Sequence, residues 1–94
     1  MKAEQIKKYY GFARKSGAIA IGTDKIMASK KIYLIFASES LSQNAKDRLK
    51  RRAEKENCEF VMFSEEEFKT IEQNSNIKAV AIKSKELAKA MQKQ

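Results

Sequence analysis

The feature that most constrains the fold of this chain is a regular alternation of helical and extended apolar patterns. Helical spacing or a helix-start signal marks five segments, and four short apolar runs separate them. The predicted helices span residues 4–15, 23–29, 42–56, 64–72 and 84 to the end, and the predicted strands span residues 18–21, 32–37, 59–63 and 78–83. Strict alternation of this kind predicts an α/β fold, a three-layer α/β/α sandwich with a central mixed sheet of about four strands.

Turn and cap residues mark several ends of these elements. Gly17 ends the first predicted helix, and Thr23 or Asp24 caps the second. Ser64 opens a Ser-Glu-Glu-Glu segment, which has the form of a capping box. Because no proline, linker or repeat interrupts the pattern, residues 1–94 are predicted to form a single domain.

Positive charge is in excess and unevenly distributed. The chain carries 20 lysines and arginines against 12 aspartates and glutamates, a formal net charge of +8. Such an excess indicates a polyanionic partner (RNA, DNA or an anionic membrane surface), although a surface charged for solubility gives the same sum. Residues 46–55 and 73–94 are net basic, whereas residues 57–72 are net acidic. The helix predicted at 42–56 is charged on every face except the Leu49 stripe, which fits either a nucleic-acid patch or a solvated face.

The sequence contains no signal for a membrane or for a disulfide framework. No apolar run approaches the roughly 20 residues of a membrane span, and residues 1–4 (Met-Lys-Ala-Glu) lack the apolar region of a signal peptide. We therefore expect a cytoplasmic monomer without a membrane partner. Cys58 is the single cysteine, so a disulfide within one chain is excluded, and the residue is predicted to be a buried part of a strand.

Residue types typical of enzymes are scarce. Histidine, the commonest general base and metal ligand, is absent, and Cys58 consequently has no histidine to activate its thiol. The acidic residues 65–67 stand at a predicted helix start, where negative charge complements the helix dipole. The three glycines form neither a P-loop nor a dinucleotide fingerprint. We therefore expect no enzyme activity, no cofactor and no metal.

Several segments, taken in their order along the chain, resemble a known family. They are residues 11–17 (GFARKSG), an apolar tetrad with Gly22, residues 32–37 followed by Ser-Glu-Ser, the helix start with Ser42, Asn44 and Lys46, and residues 80–88. The set is similar to the short bacterial members of the L-seven-Ae and L-thirty-e ribosomal protein superfamily, and the similarity covers residues 9–91.

The resemblance implies an α/β/α sandwich that binds structured RNA, typically kink-turns, in ribosomal RNA or other RNAs, and it implies an association with the ribosome. In this family the start of the second helix, usually Gly-Thr-Asn-Glu, contacts sheared G·A pairs. The loop before the last strand packs an apolar residue against extruded bases. The implied RNA-binding residues are Gly22, Thr23, Asp24, Lys25, Asn74, Ser75, Asn76, Ile77 and Lys78, flanked by Lys30 and Lys31.

Two of these positions differ from the family pattern. Asp24 stands in place of asparagine and Lys25 in place of glutamate, and the second helix is about one turn shorter than usual. An aspartate accepts hydrogen bonds but donates none, and it brings negative charge toward phosphates. A second hypothesis therefore stays open: a protein-interaction or structural member of the same fold that has lost kink-turn specificity. Residues 18–21 and the exposed Tyr9 or Tyr10 would then belong to a partner surface.

Overall fold

A computed structural model, which describes residues 3–93, contains five helices and four strands in the predicted alternation. The helices are α1 (Ala3–Lys15), α2 (Thr23–Ala28), α3 (Gln43–Glu56), α4 (Glu65–Ile71) and α5 (Lys85–Gln92). The strands are β1 (Ile19–Ile21), β2 (Leu34–Ser38), β3 (Glu59–Phe63) and β4 (Ala79–Ile82). The expected α/β sandwich with a mixed four-stranded sheet is confirmed.

The sheet has the strand order β1-β4-β2-β3. β4 runs antiparallel to both β1 and β2, whereas β2 and β3 are parallel. Consequently β1, β2 and β3 all end where β4 begins, and we call this the front end of the sheet. The back end is where β1, β2 and β3 begin and β4 ends.

The helices cover both faces of the sheet. α1, α4 and α5 contribute to one core cluster, which includes Phe36, and α2 and α3 contribute to the other, which includes Ile35. Alternate residues of a strand point to opposite faces, so β2 supplies both clusters, and all five of its residues are buried. Burial on both faces explains why this strand reads as a continuous apolar run rather than as an alternating pattern.

The helix starts differ in how they are capped. Ser42, Ser64 and Ser84 each accept a hydrogen bond from a backbone N–H of the first turn of α3, α4 and α5, and the capping box at Ser64 is confirmed. The predicted cap of α2 by Thr23 or Asp24 is wrong. Thr23 and Asp24 are both inside the helix, and Gly22 occupies the cap position with a φ of 90° and a ψ of 150°, a conformation essentially restricted to glycine.

The structure also corrects the expectation for Cys58. Asn57 ends α3 in the left-handed conformation, and the N–H of Cys58 donates to the carbonyl of Ala53 at 2.9 Å. Together these contacts form a Schellman-type helix end. Because its backbone closes the helix, Cys58 precedes β3 instead of belonging to it, and its side chain is only half-buried.

Tyr10 and the end of α5 also differ from the predictions. Tyr10 is 5% exposed, because the inward face of α1 carries it into the first core cluster, so it is unavailable to a partner surface. Tyr9 and Ile19, in contrast, are half-buried at the margin of that cluster. α5 ends at Gln92 rather than at the end of the chain, where Gln94 lies outside the described residues.

Candidate nucleic-acid interface

The front end of the sheet brings together the two segments predicted to contact RNA. The N–H of Gly22, at the start of α2, donates to the carbonyl of Ala79, the first residue of β4, at 2.9 Å. On the other side of β4, the N–H of Ser38 donates to the carbonyl of Lys78 at 2.9 Å. Residues 22–25 and the loop at 74–78 are therefore neighbours, although they lie far apart in the chain.

Hydrogen bonds within the loop at 74–78 give it a defined shape. The Asn74 side-chain oxygen accepts from the N–H of Asn76, and the Asn74 carbonyl accepts from the N–H of Ile77, both at 3.0 Å. The side chains of residues 74–76 are exposed, whereas Ile77 packs partly against the first core cluster. The loop thus presents three short polar side chains and the remaining surface of one apolar residue.

Glu72 joins this loop to α1. Its carboxylate is 3% exposed, and one oxygen accepts from the Tyr10 hydroxyl and from Arg14 Nη1 at 2.8 Å. The other oxygen accepts from the N–H of Asn74 at 3.0 Å. Glu72 is therefore the residue that sets where the loop begins. The sequence carries no signal for this role, because two of its three partners, Tyr10 and Arg14, lie in α1, far from Glu72 along the chain.

The Glu72 contacts also set the protonation states of this cluster. Burial by itself raises the pKa of Glu72, but the hydrogen bonds from Tyr10 and Asn74 and the charge of Arg14 outweigh burial and hold the pKa below its ordinary value. Burial and the Glu72 hydrogen bond raise the pKa of Tyr10. Glu72 is accordingly ionised and Tyr10 neutral at neutral pH, the states in which the hydroxyl donates to the carboxylate.

The first turn of α2 is open to solvent. The side chain of Asp24 is 94% exposed, Lys25 is exposed, and no side chain among the described residues caps the helix start. Arg48 of α3 approaches Asp24, with Nη2 3.7 Å from Oδ1. An exposed pair at this distance contributes little to stability. It does, however, place a basic group of α3 beside the predicted RNA-contact residues.

Arg52 of α3 holds the other end of α2. Its guanidinium, in a residue that is 8% exposed, donates to the carbonyls of Ile26 at 3.1 Å, Met27 at 2.9 Å and Ser29. Its Nε lies 3.4 Å from a carboxylate oxygen of Glu56. Carbonyls at a helix end lack partners within the helix, so this arginine allows α2 to stop after six residues. The sequence predicts that Arg52 belongs to a charged surface of α3, either a nucleic-acid patch or a solvated face, and its burial makes that prediction wrong for this residue.

Lys30 and Lys31 do not join the front end. Both are exposed and precede Tyr33, whose N–H donates to the carbonyl of Ile82 at the back end at 2.9 Å. With a rise of about 3.3 Å per strand residue, the three steps from Ala79 to Ile82 separate Tyr33 from Gly22 by roughly 10 Å.

Charges of both signs occur at the front end. Exposed Lys25 and Lys78 stand near the exposed carboxylates of Asp24, Glu39 and Glu65. A depression of only about 10 Å³ lies among the residues there, which include Ser38 and Ile77. Because that volume holds about one water molecule, the front end offers a contact surface rather than a pocket.

Residues 3–93 contain no group of three or more acidic or cysteine side chains able to hold a metal ion. No helix among them is long and apolar enough to cross a membrane. The pKa of the Cys58 thiol is raised, mainly by burial, so the thiol stays in its less nucleophilic protonated form.

Comparison of the chain with models of known protein families and with curated proteins gives no match.

Proposed function

We propose that this protein belongs to the L-seven-Ae and L-thirty-e ribosomal protein superfamily and binds structured RNA, a kink-turn or ribosomal RNA, without catalysing a reaction. Residues 22–25 and 74–78 form the contact surface. The observation that carries the proposal is the hydrogen bond between Gly22 and Ala79, since it joins the two segments that resemble the family's contact segments.

The chemistry of the surface suits recognition of RNA shape. A Cβ built on Gly22 meets nothing within 4 Å, so the space above this residue is open to an approaching RNA backbone. Thr23 and the side chains of Asn74 and Asn76 supply hydrogen-bonding groups of short reach, which suit base edges and 2′-hydroxyls. Lys25 and Lys78 are positioned to contact phosphates, which makes affinity fall with increasing salt.

Titration of a labelled kink-turn RNA, and of the same RNA with its G·A pairs replaced, tests this function. We expect tighter binding to the intact kink-turn at moderate salt. A Lys25→Gln/Lys78→Gln variant should bind it more weakly, whereas Lys50→Gln/Arg51→Gln, which removes the same charge from an exposed face of α3, should bind nearly as well. Absence of binding contradicts the proposed function. Equal binding to both RNAs would show that the protein attracts RNA by charge alone and does not recognise the kink-turn.

The carboxylates at the front end favour a second candidate function, binding of a protein partner by a fold that has lost kink-turn specificity. The side chains of Asp24, Glu39 and Glu65 are all exposed, so their negative charges oppose a phosphate backbone. Asp24→Asn, which restores the family's asparagine and leaves Lys25 in place, separates the two candidates. Tighter kink-turn binding by this variant supports the RNA function, and unchanged binding favours the protein partner.

A further inference from the structure

A groove of about 750 Å³ follows α5 and lies outside the residues proposed above to contact structured RNA. Its lining residues are Tyr9 from α1, Tyr33 from the segment before β2, and Lys85, Ala88, Lys89, Ala90, Gln92 and Lys93 from α5 and its end. The volume is within the range of roughly 300–1,000 Å³ typical of ligand sites. Because the groove is open to solvent along its length, it suits a segment of chain better than an enclosed small molecule.

Three lysines form one rim of the groove. Lys85, Lys89 and Lys93, which we call the groove lysines, all line the groove. Lys85 and Lys89 lie four residues apart on α5, about 6 Å along the helix axis, and Lys93 directly follows the end of that helix. All three are exposed, and within residues 3–93 none of them forms an ion pair. No carboxylate of the described residues lines the groove. This rim therefore complements a row of negative charges.

Two tyrosines provide the aromatic surface of the groove. Tyr9 and Tyr33 are half-buried and pack against the first core cluster, which fixes their rings while leaving part of each accessible. The ammonium of Lys8 lies 5.8 Å from the centroid of the Tyr9 ring, so polar groups reach this ring. Accessible aromatic rings beside a basic rim are the combination on which single-stranded nucleic acids bind, with bases stacked and phosphates paired.

We propose that this groove binds a single-stranded segment of RNA, with bases stacked on Tyr9 and Tyr33 and phosphates paired with the groove lysines. The amide of Gln92 and the tyrosine hydroxyls supply donors and acceptors for the 2′-hydroxyl, the group that distinguishes RNA from DNA. An acidic peptide would pair with the lysines but would present no bases to the rings. The groove and the front end are separate surfaces, so binding at each is tested independently.

Fluorescence anisotropy with a short labelled oligouridine measures the binding. Three phosphate contacts on a single strand give a salt slope of about −2, so we expect affinity to fall about 20-fold between roughly 50 and 200 mM salt. Absence of binding at the lower salt concentration overturns the proposal.

Two charge-matched triple variants test whether the groove is the site. Lys85→Gln/Lys89→Gln/Lys93→Gln removes the groove lysines, and Lys50→Gln/Arg51→Gln/Lys55→Gln removes the same charge from exposed positions of α3. At low salt, the first variant should lose more than about tenfold in affinity and the second less than about twofold. Equal losses would mean that net charge alone attracts the strand, which overturns the proposal.

Substitution of Tyr33 tests the stacking. Tyr33→Leu keeps apolar bulk against the core but removes the ring, and we expect about a fivefold loss of affinity. Tyr33→Phe keeps the ring and should bind as the unmodified protein does. Thermal unfolding of both variants verifies that the fold is intact. If a folded Tyr33→Leu variant binds as tightly as Tyr33→Phe, base stacking at this ring is refuted.

Competitors and a front-end variant identify the occupant. Polyglutamate should displace oligouridine poorly, oligodeoxythymidine should bind more weakly than oligouridine, and Lys25→Gln/Lys78→Gln should leave oligouridine binding unchanged. Equal displacement by polyglutamate, or equal binding of the DNA strand, overturns the assignment to RNA. Loss of oligouridine binding in the Lys25→Gln/Lys78→Gln variant would place the strand at the front end instead.

Discussion

The two ends of the sheet differ in how they combine charge with polar groups. The front end presents the short polar side chains of the loop at 74–78 and the open backbone at Gly22, among charges of both signs. The back end presents the exposed Lys30, Lys31 and Lys83, and α5 with its groove lysines begins there.

This difference separates shape recognition from electrostatic attraction. A net charge of +8 describes the whole chain, but most of the excess lies away from the segments that resemble the family's RNA contacts. Base pairs and turns are distinguished by positioned polar groups, whereas phosphates attract any exposed cation. We therefore expect substitutions that disturb the geometry of the front end to change specificity, and substitutions in the groove to change the salt dependence.

Arg52→Met should have the largest effect on stability. It leaves the carbonyls of Ile26, Met27 and Ser29 without their partner and Glu56 without its counter-charge, at a cost of about 3 kcal/mol in the free energy of unfolding. Denaturant unfolding measures the loss, with Arg51→Met as an exposed control expected within about 0.5 kcal/mol of the unmodified protein. If α2 is held mainly by Arg52, the Arg52→Met variant should bind the kink-turn more weakly and still bind oligouridine. Equal losses of affinity for both RNAs would contradict the distinction between the two surfaces.

Glu72→Gln should lower the free energy of unfolding by about 2 kcal/mol at neutral pH. An amide has only one acceptor oxygen, so it cannot accept from both Asn74 and Tyr10 as the carboxylate does. The substitution also leaves Arg14 without its ion pair. The folded state holds the pKa of Glu72 below its ordinary value of 4.5. The contribution of the ionised Glu72 carboxylate to stability is therefore complete above pH 4.5. It is lost as the pH falls through the lower pKa of the folded state.

Unfolding free energies measured between neutral and acidic pH check this prediction. The difference between the unmodified protein and Glu72→Gln should shrink as the solution becomes more acidic. Glu59→Gln, at an exposed position of β3, serves as the control. A difference that stays constant with pH would show that the effect of the substitution is steric and not a loss of the ionised carboxylate.

Gly22→Ala should destabilise the protein by about 1–2 kcal/mol. A Cβ there meets nothing within 4 Å, so the cost comes from the backbone, whose φ of 90° suits only glycine. The same change at Gly11, in the interior of α1, should instead stabilise by about 0.5–1 kcal/mol. Urea unfolding measures the change in unfolding free energy for both variants. A change of the same sign in both would contradict the role assigned to Gly22.

Asp24→Asn should have the smallest effect on stability, below about 0.5 kcal/mol, since its contact with Arg48 is exposed and 3.7 Å long. Removal of one negative charge next to a phosphate should tighten front-end binding of structured RNA by no more than about fivefold. Oligouridine affinity in the groove should stay the same. A change in groove binding without a change in kink-turn binding would reverse the assignment of the two surfaces.

The order of helices and strands was predictable because it depends on local patterns. Apolar spacing and helix-start signals located the nine elements of residues 3–93, and the capping box at Ser64 marked the start of α4. The errors occur where backbone conformation departs from the usual cap: Gly22 displaced the expected cap of α2, and Cys58 closed a helix instead of entering a strand.

The candidate site was predictable only in part. Residues 22–25 and 74–78 came from the resemblance, and the pairing of β1 with β4 then placed them side by side. Contacts between distant segments decide the rest. They separate Lys30 and Lys31 from that site, and they give Glu72 and Arg52 their roles. In the sequence, a charged residue that caps another helix cannot be distinguished from one that faces water.

By itself the sequence determined an alternating α/β chain with an excess of positive charge, because periodicity and residue type act locally. Tertiary structure alone decided where the charge lies. Insertion of β4 between β1 and β2 brought residues 22–25 to the loop at 74–78 and left α5 with its lysines along the groove. The physical reason is that strand pairing and helix packing join residues by shared surface, regardless of their distance in the chain.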